Sequence, residues 1–403
     1  MSDVAAGAPS IYLIAGEPSG DLIGAGLMAA LKDATGGAVR FAGVGGEHMA
    51  GHGLRSLFPM AELSVMGLVE VLPRVPRLLR RIRQTARDIR ERAPDAVVTI
   101  DAPGFSFRVA RRLAGRGIPL IHYVAPTVWA WRPGRAAKIA RFLDHVLAVL
   151  PFEPPYFEAV GLPCTFVGHP IVAESATGDG LRFRADHHIP ADAPVLGVLP
   201  GSRHSEVSRL LAPFGDAVAL LRERLPDLRV VTVTVGAVAA DVEAATRDWR
   251  APVTVVRDVS ARADAFNACD AAIAASGTVA VELAVAGTPM VIGYRMAPLT
   301  MAIARALVRV PYVNVMNLTL GREAIPEFIQ EACTAEALAE QAEKLLVDPA
   351  ARDAQIEAIG TALGALGQGG RSPSRRAAQV VLDVISQGPR HGARPATGGE
   401  RKS

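Results

Sequence analysis

Asp101 closes the apolar run of DAVVTIDAPGFSF. A carboxylate carried at a strand end is a candidate general base, a role worth about 10²- to 10⁴-fold in rate. The same Asp-x-Pro spacing also suits a turn or helix cap ahead of Pro103. In the second half of the chain the charge sense reverses. In CDAAIAASGTVAVELAVAG, Ser276, Gly277 and Thr278 open a helix behind a strand, where free amides and the helix dipole favour an anion. Glu282 lies four residues beyond Thr278, on the same helix face. That pairing suits a nucleotide, with phosphates on the amides and ribose hydroxyls on Glu282. The apolar neighbours Val279, Val281, Leu283 and Val285 make an unpaired structural carboxylate costly at that position. Arg203, after the strand and Pro-Gly-Ser turn of VLGVLPGSRHSEV, adds a guanidinium that can hold a diphosphate bidentately, although a solvated surface arginine would fit the same turn.

The glycine turn of IYLIAGEPSGDLIGAG is a different case. Residues 16–24 form neither G-x-G-x-x-G nor a P-loop, and Glu17 and Asp21 would repel a phosphate. Glu17, Ser19 and Asp21 are placed instead to accept hydrogen bonds from hydroxyls, and the purely structural alternative makes Ser19 or Asp21 a helix N-cap. His122, Trp129, Trp131 and Arg132 gather in HYVAPTVWAWRPGR near another strand end, where tryptophans more often fill core than line a ligand. No metal site is expected. The chain has no D-x-D, and His48 and His52 in EHMAGH are separated by Gly51 and followed by Gly53. There is no G-x-S-x-G elbow. Cys164, Cys269 and Cys333 have no paired spacing and read as buried thiols.

These residues need strands that end beside helices, and the pattern supplies them. IYLIAG, VRFAGVGG, DAVVTIDAPG, IPLIHYVAP and VLAVLPFE alternate with helical periods, then PVLGVLPGSR, LRVVTVTVG, PVTVVRD, CDAAIAASGT and TPMVIGYR repeat the rhythm after the turn-rich GLPCTFVGHPIVAESATGDG. The fold class is α/β, with two Rossmann-like domains facing a cleft that residues at strand carboxyl ends would line. The expected divisions are 1–170, 171–348, C-terminal helices over 349–388 returning to the N-terminal domain or to a partner subunit, and a disordered basic tail over 389–403. The chain of 403 residues is half apolar with net charge +3, too weak a balance to imply nucleic acid. No apolar stretch is long enough to span a membrane, and MSDVAAGAPS lacks a basic signal region, so a cytoplasmic protein is expected. One basic amphipathic helix stands out over residues 74–92. Val75, Leu78, Leu79, Ile82, Ala86 and Ile89 form its stripe, and Arg74, Arg77, Arg80, Arg81, Arg83, Arg87, Arg90 and Arg92 surround it against only Asp88 and Glu91. It reads as a surface helix packed on its own sheet, and also as a docking face for an anionic membrane together with the preceding SVMGLVEVLP.

Taken in order, AGEPSGD, VMGLVE, DAPGF, HYVAPTVWAWR, LPFE, GHP, LPGSRHSEV, ASGTVAVE, GYR and NLTLGREAIPEFIQ resemble the lipid-A-disaccharide synthase family, from residue 11 to residue 386. The resemblance implies a GT-B-type inverting glycosyltransferase that needs no cofactor. Its donor would be UDP-2,3-diacylglucosamine and its acceptor 2,3-diacylglucosamine 1-phosphate, joined as a β-1,6-linked disaccharide 1-phosphate. Asp101 then matches the general base, Arg203, Ser276, Gly277 and Thr278 the diphosphate site, Glu282 the ribose ligand, Asn317 and Gln330 polar cleft positions, and Glu17 and Ser19 the acceptor side. Docking on the inner membrane face and a homodimer through the C-terminal helices are further implications. The chain departs from the family pattern at Pro18, at Gly104 where an acidic residue is usual, and at Ser106; without that acidic neighbour, Asp101 is expected to be a weaker base. Two rivals fit parts of the pattern: a UDP-N-acetylglucosamine 2-epimerase, which would use the Ser276 to Glu282 site but not the basic helix, and a non-catalytic nucleotide-sugar or lipid-binding protein, which could discard Asp101.

Overall fold

The computed structural model describes residues 7–63, 75–131, 134–174, 178–297, 301 and 310–391. Contacts divide the chain into two units, residues 1–170 with 370–403 and residues 171–369. In the first unit, β1 (Ser10–Ala15), β2 (Arg40–Val44), β3 (Ala96–Ile100), β4 (Leu120–Tyr123), β5 (His145–Ala148) and β6 (Cys164–Phe166) form one parallel sheet in the order β2-β1-β3-β4-β5-β6. In the second, β7 (Val195–Leu199), β8 (Arg229–Val233), β9 (Val253–Val256), β10 (Ala271–Ala274), β11 (Met290–Tyr294) and β12 (Glu327–Ile329) form another, in the order β12-β11-β10-β7-β8-β9. Every residue of β3, β7 and β10 is buried, as strands covered by helices on both faces must be.

Strand order decides where ligands go. A parallel sheet of this kind leaves a crevice outside its strand carboxyl ends where the order reverses, because the crossover helices there leave on opposite faces. The reversal falls between β1 and β3 in the first unit and between β7 and β10 in the second. These four strands lead into the turns that carry Glu17, Asp101, Arg203 and Ser276.

Several expectations change. The passage over residues 161–180 contains β6, which pairs with β5 through only three residues, too short and too polar a segment to stand out as an apolar run. Of the C-terminal helices, Pro349–Ala365 packs inside the second unit, and Pro373–Gln387 packs on the helix Pro18–Ala34 in the first. Residues 389–391 are not disordered: the Arg390 amide donates to Asp144 Oδ1 at 2.7 Å and its guanidinium to the Gly161 carbonyl at 2.7 Å. The rest of the expected tail, residues 392–403, lies outside the described residues.

The basic helix runs from Val75 to Arg92, and Arg74 and the SVMGLVEVLP segment lie outside the described residues. Its stripe divides. Ile82, Ala86 and Ile89 are buried in the core, whereas Val75 and Leu79 are exposed. Its basic face is thinner than the composition suggests, because Arg81 is bonded bidentately to Glu62 and lies 4.5 Å from the Phe58 ring centre. Arg87 and Arg92 pair with Glu91 and Asp88, while Arg77, Arg80, Arg83 and Arg90 are exposed. Among the described residues no helix is long and apolar enough to cross a membrane.

Candidate active site

In the first unit the chain leaves β3 through two consecutive residues of left-handed backbone, Asp101 at φ 48° and Ala102 at φ 44°. Non-glycine residues hold that conformation only where the surroundings fix it, and such strain collects at functional turns. Here the Asp101 amide donates to the Tyr123 carbonyl at 3.0 Å, and the buried Ser106 hydroxyl donates to the Asp101 carbonyl at 2.9 Å. Ser106, one of the departures from the family pattern, therefore braces the turn. Gly16 lets the turn come close, since a Cβ there would meet the Ala102 Cβ at 2.6 Å. The Asp101 side chain is half-buried, and burial raises its pKa against the opposing pull of the Ala102 amide. Loss of solvation thus raises the basicity that the missing acidic neighbour would otherwise have raised. The space at Gly104 is open, with Arg108 Nη1 its nearest neighbour at 3.7 Å.

Beside this turn lies a cavity of about 390 Å³. Leu63, Leu78, Leu79, Ile82 and Phe105 give it a largely apolar lining, to which Glu17, Glu62 and Arg108 add charge and Ala102 and Gly104 add the turn itself. Ser19 does not line it and is exposed on the first turn of its helix. Neither Ser19 nor Asp21 is the N-cap of that helix; Glu17 is. Asp21 does not face a ligand either: its buried carboxylate accepts from the amides of Gly46 at 2.6 Å, His48 at 2.9 Å and Met49 at 3.2 Å, fixing the turn after β2. His122 is also structural. It is fully buried within β4, with Nδ1 2.8 Å from Thr99 Oγ1, and burial lowers its pKa to about 3. Trp129 donates to Glu153 Oε1 at 3.2 Å, and Glu153 Oε2 accepts from the amides of Val149 and Leu150, so the buried Glu153 ties the loop after β4 to the end of β5. The Trp131 side chain and Arg132 lie outside the described residues.

In the second unit Arg203 is the N-cap residue of the helix His204–Arg224 and pairs with Glu206 at 2.9 Å, its side chain more than half exposed. Across the reversal point β10 leads to Ser276 and Gly277, whose φ of 155° few side chains tolerate, and the helix Thr278–Val285 begins there. Arg203, Ser276, Gly277 and Thr278 line one cavity of about 220 Å³. Four of the expected residues therefore meet. Glu282 stands behind them, paired with Arg262 at 3.1 Å, and burial raises its pKa while Arg262 opposes the rise.

Asn317 and Gln330 act through the backbone. Asn317 is fully buried, and all its hydrogen-bonding positions are used: its amide nitrogen donates to the Ile325 carbonyl and to Glu327 Oε1, both at 2.7 Å, and its oxygen accepts from the Ala324 and Ile325 amides. It is not presented to a ligand. Gln330 binds both backbone groups of Met296 and so fixes the chain beyond β11. Glu327 also accepts from the amides of Val313 and Asn314, and the Val313 carbonyl receives the Ser276 hydroxyl at 3.0 Å. Sequence reading missed Glu327, Arg262 and Glu153. Glu153 and Glu327 lie within the quoted LPFE and NLTLGREAIPEFIQ, whereas Arg262 falls in no quoted motif.

Two parallel sheets with polar turns at both reversal points define a GT-B-type glycosyltransferase architecture. Solved structures share it: the Staphylococcus aureus MnaA–UDP co-structure superposes with a TM-score of 0.63 at 14% identity, covering 96% of this chain and all of the other. Acinetobacter baumannii MurG gives 0.56 at 16% identity, over 93% of this chain and all of that one. Residues 11–380 match the family model described as lipid-A-disaccharide synthetase. The lipid-A-disaccharide synthase of Rhodospirillum centenum is 57% identical over 380 residues, 94% of this chain and 95% of its own, and that of Paramagnetospirillum magneticum is 52% identical over 383 residues, 94% and 98%. The chain belongs to the lipid-A-disaccharide synthase family and is a glycosyltransferase of lipid A biosynthesis.

Proposed function

We propose that the enzyme transfers 2,3-diacylglucosamine from UDP-2,3-diacylglucosamine to the 6-hydroxyl of 2,3-diacylglucosamine 1-phosphate. Asp101 accepts the hydroxyl proton as the oxygen attacks the anomeric carbon. The bond from that carbon to the UDP oxygen breaks with its electron pair, and this single displacement inverts the centre to give the β-1,6-linked disaccharide 1-phosphate and UDP. The observation that carries this reading is the half-buried Asp101 carboxylate, made more basic by burial, in a braced turn beside an apolar cavity. A base of raised pKa takes a proton more readily, and the cavity favours an acyl chain by about 0.8 kcal/mol for each methylene it buries. Glu17, which lines the same cavity, would accept from sugar hydroxyls.

Charge developing on the leaving diphosphate would meet the amides at Thr278 and the Arg203 guanidinium, which line one cavity. Glu282 would bind the ribose. The exposed Val75, Leu79, Arg77, Arg80 and Arg83 give the helix Val75–Arg92 an end suited to an anionic membrane surface, where acylated substrates reside. Incubation with both diacylated substrates and mass detection tests the reaction. The reading requires a disaccharide 1-phosphate with the normal acceptor and none with a 6-deoxy acceptor; isomerisation of the donor without acceptor consumption would overturn it.

A further inference from the structure

Arg262 has no part in the transfer described above, yet it stands at the nucleotide end of the second unit. It opens the helix Arg262–Asn267, lines the cavity shared by Arg203 and residues 276–278, and donates from Nη1 to Glu282 Oε1 at 3.1 Å. Glu282 does not itself line that cavity, so an entering ligand meets Arg262 first. The pair is incompletely satisfied. Glu282 Oε2 and Arg262 Nε are both buried without a hydrogen-bond partner. A buried carboxylate oxygen in that condition is destabilising until a donor reaches it, and a ribose diol supplies two hydroxyl donors.

Few other charges surround Glu282. Of the elements packed on its helix, Arg262–Asn267 also carries Asp264, which is held by Arg182 at 2.6 Å. Pro349–Ala365 carries Arg352, Asp353 and Glu357, and neither the helix Val315–Leu320 nor β10 carries a charge. Arg262 alone among them acts on the Glu282 carboxyl, against the burial that pushes its pKa up.

We infer that Arg262 is a positioning residue of the nucleotide site, which holds one oxygen of Glu282 while the site is empty and gives way when ribose hydroxyls reach the other. The inference rests on placing UDP at the Ser276 to Glu282 helix. Calorimetric titration of the whole enzyme with UDP and with uridine, from acid to neutral pH, tests it. For the wild type, affinity for both ligands should fall on acidification, as Glu282 takes up a proton. Arg262→Met should move that fall upward by roughly one to three pH units for both ligands, the usual effect of losing a neighbouring opposite charge. Arg262→Lys should restore most of the wild-type profile, and adding Arg262→Met to Glu282→Gln should change the profile no further. A wild-type profile for uridine in Arg262→Met would overturn the inference, whether or not UDP binds more weakly. A wild-type enzyme that binds neither ligand would instead overturn the placement of UDP, and the inference with it.

Discussion

At Asp101 two local effects oppose one another: burial favours the neutral acid, and the Ala102 amide favours the carboxylate, with burial the larger. The base must be ionised to act. On the proposed mechanism kcat/KM therefore falls as pH drops through a pKa above the ordinary aspartate value, which a pH–rate profile measures directly. Asn317→Ala makes a different prediction. It strands the Ala324 and Ile325 amides and the Ile325 carbonyl, so chemical denaturation should record a loss of about 1–3 kcal/mol. Asp101 and Ser276 are legible in the sequence because each follows an apolar run at once, and a strand end fixes its position whatever the rest of the chain does. Asn317 is picked out by the family resemblance, but its bracing role is not legible, since its partners are chosen by how residues 317–327 fold back on themselves, and no local pattern encodes that. Arg262 is hidden for the same reason: its partner lies 20 residues away.

The loop after β4 depends on Glu153, whose pKa burial raises from 4.5 to about 7. Between those values the unfolded chain releases a proton that the folded chain retains, so stability is highest below the lower value and is lost as pH rises towards the upper one. The loss is on the order of 3 kcal/mol, complete near neutrality, and Glu153→Gln should flatten unfolding free energy measured across that interval. The helix Val75–Arg92 carries a second prediction at this scale. Arg77→Glu with Arg80→Glu and Arg83→Glu should weaken sedimentation with anionic vesicles severalfold and abolish its dependence on salt, while leaving the fold intact, because these side chains are exposed. Helical spacing disclosed this helix, but not the division of its stripe or the capture of Arg81 by Glu62, which need the neighbouring turn to be in place.

Across the whole molecule the two units solve the same problem with opposite charge. Each places its candidate turns where strand order reverses: carboxylates after β1 and β3 in the first, amides and a guanidinium after β7 and β10 in the second. The alternation of apolar runs with helical periods made both sheets legible. The short edge strands β6 and β12 escaped, for they are only three residues long and are defined by their neighbours. The separation of labour between the units is the central claim, and Asp101→Asn tests it most directly, with UDP affinity and single-turnover disaccharide formation measured on the same preparation. UDP affinity should stay within error of the wild type while transfer slows by about 10²- to 10⁴-fold. Transfer at the wild-type rate, or loss of UDP binding together with transfer, would contradict it.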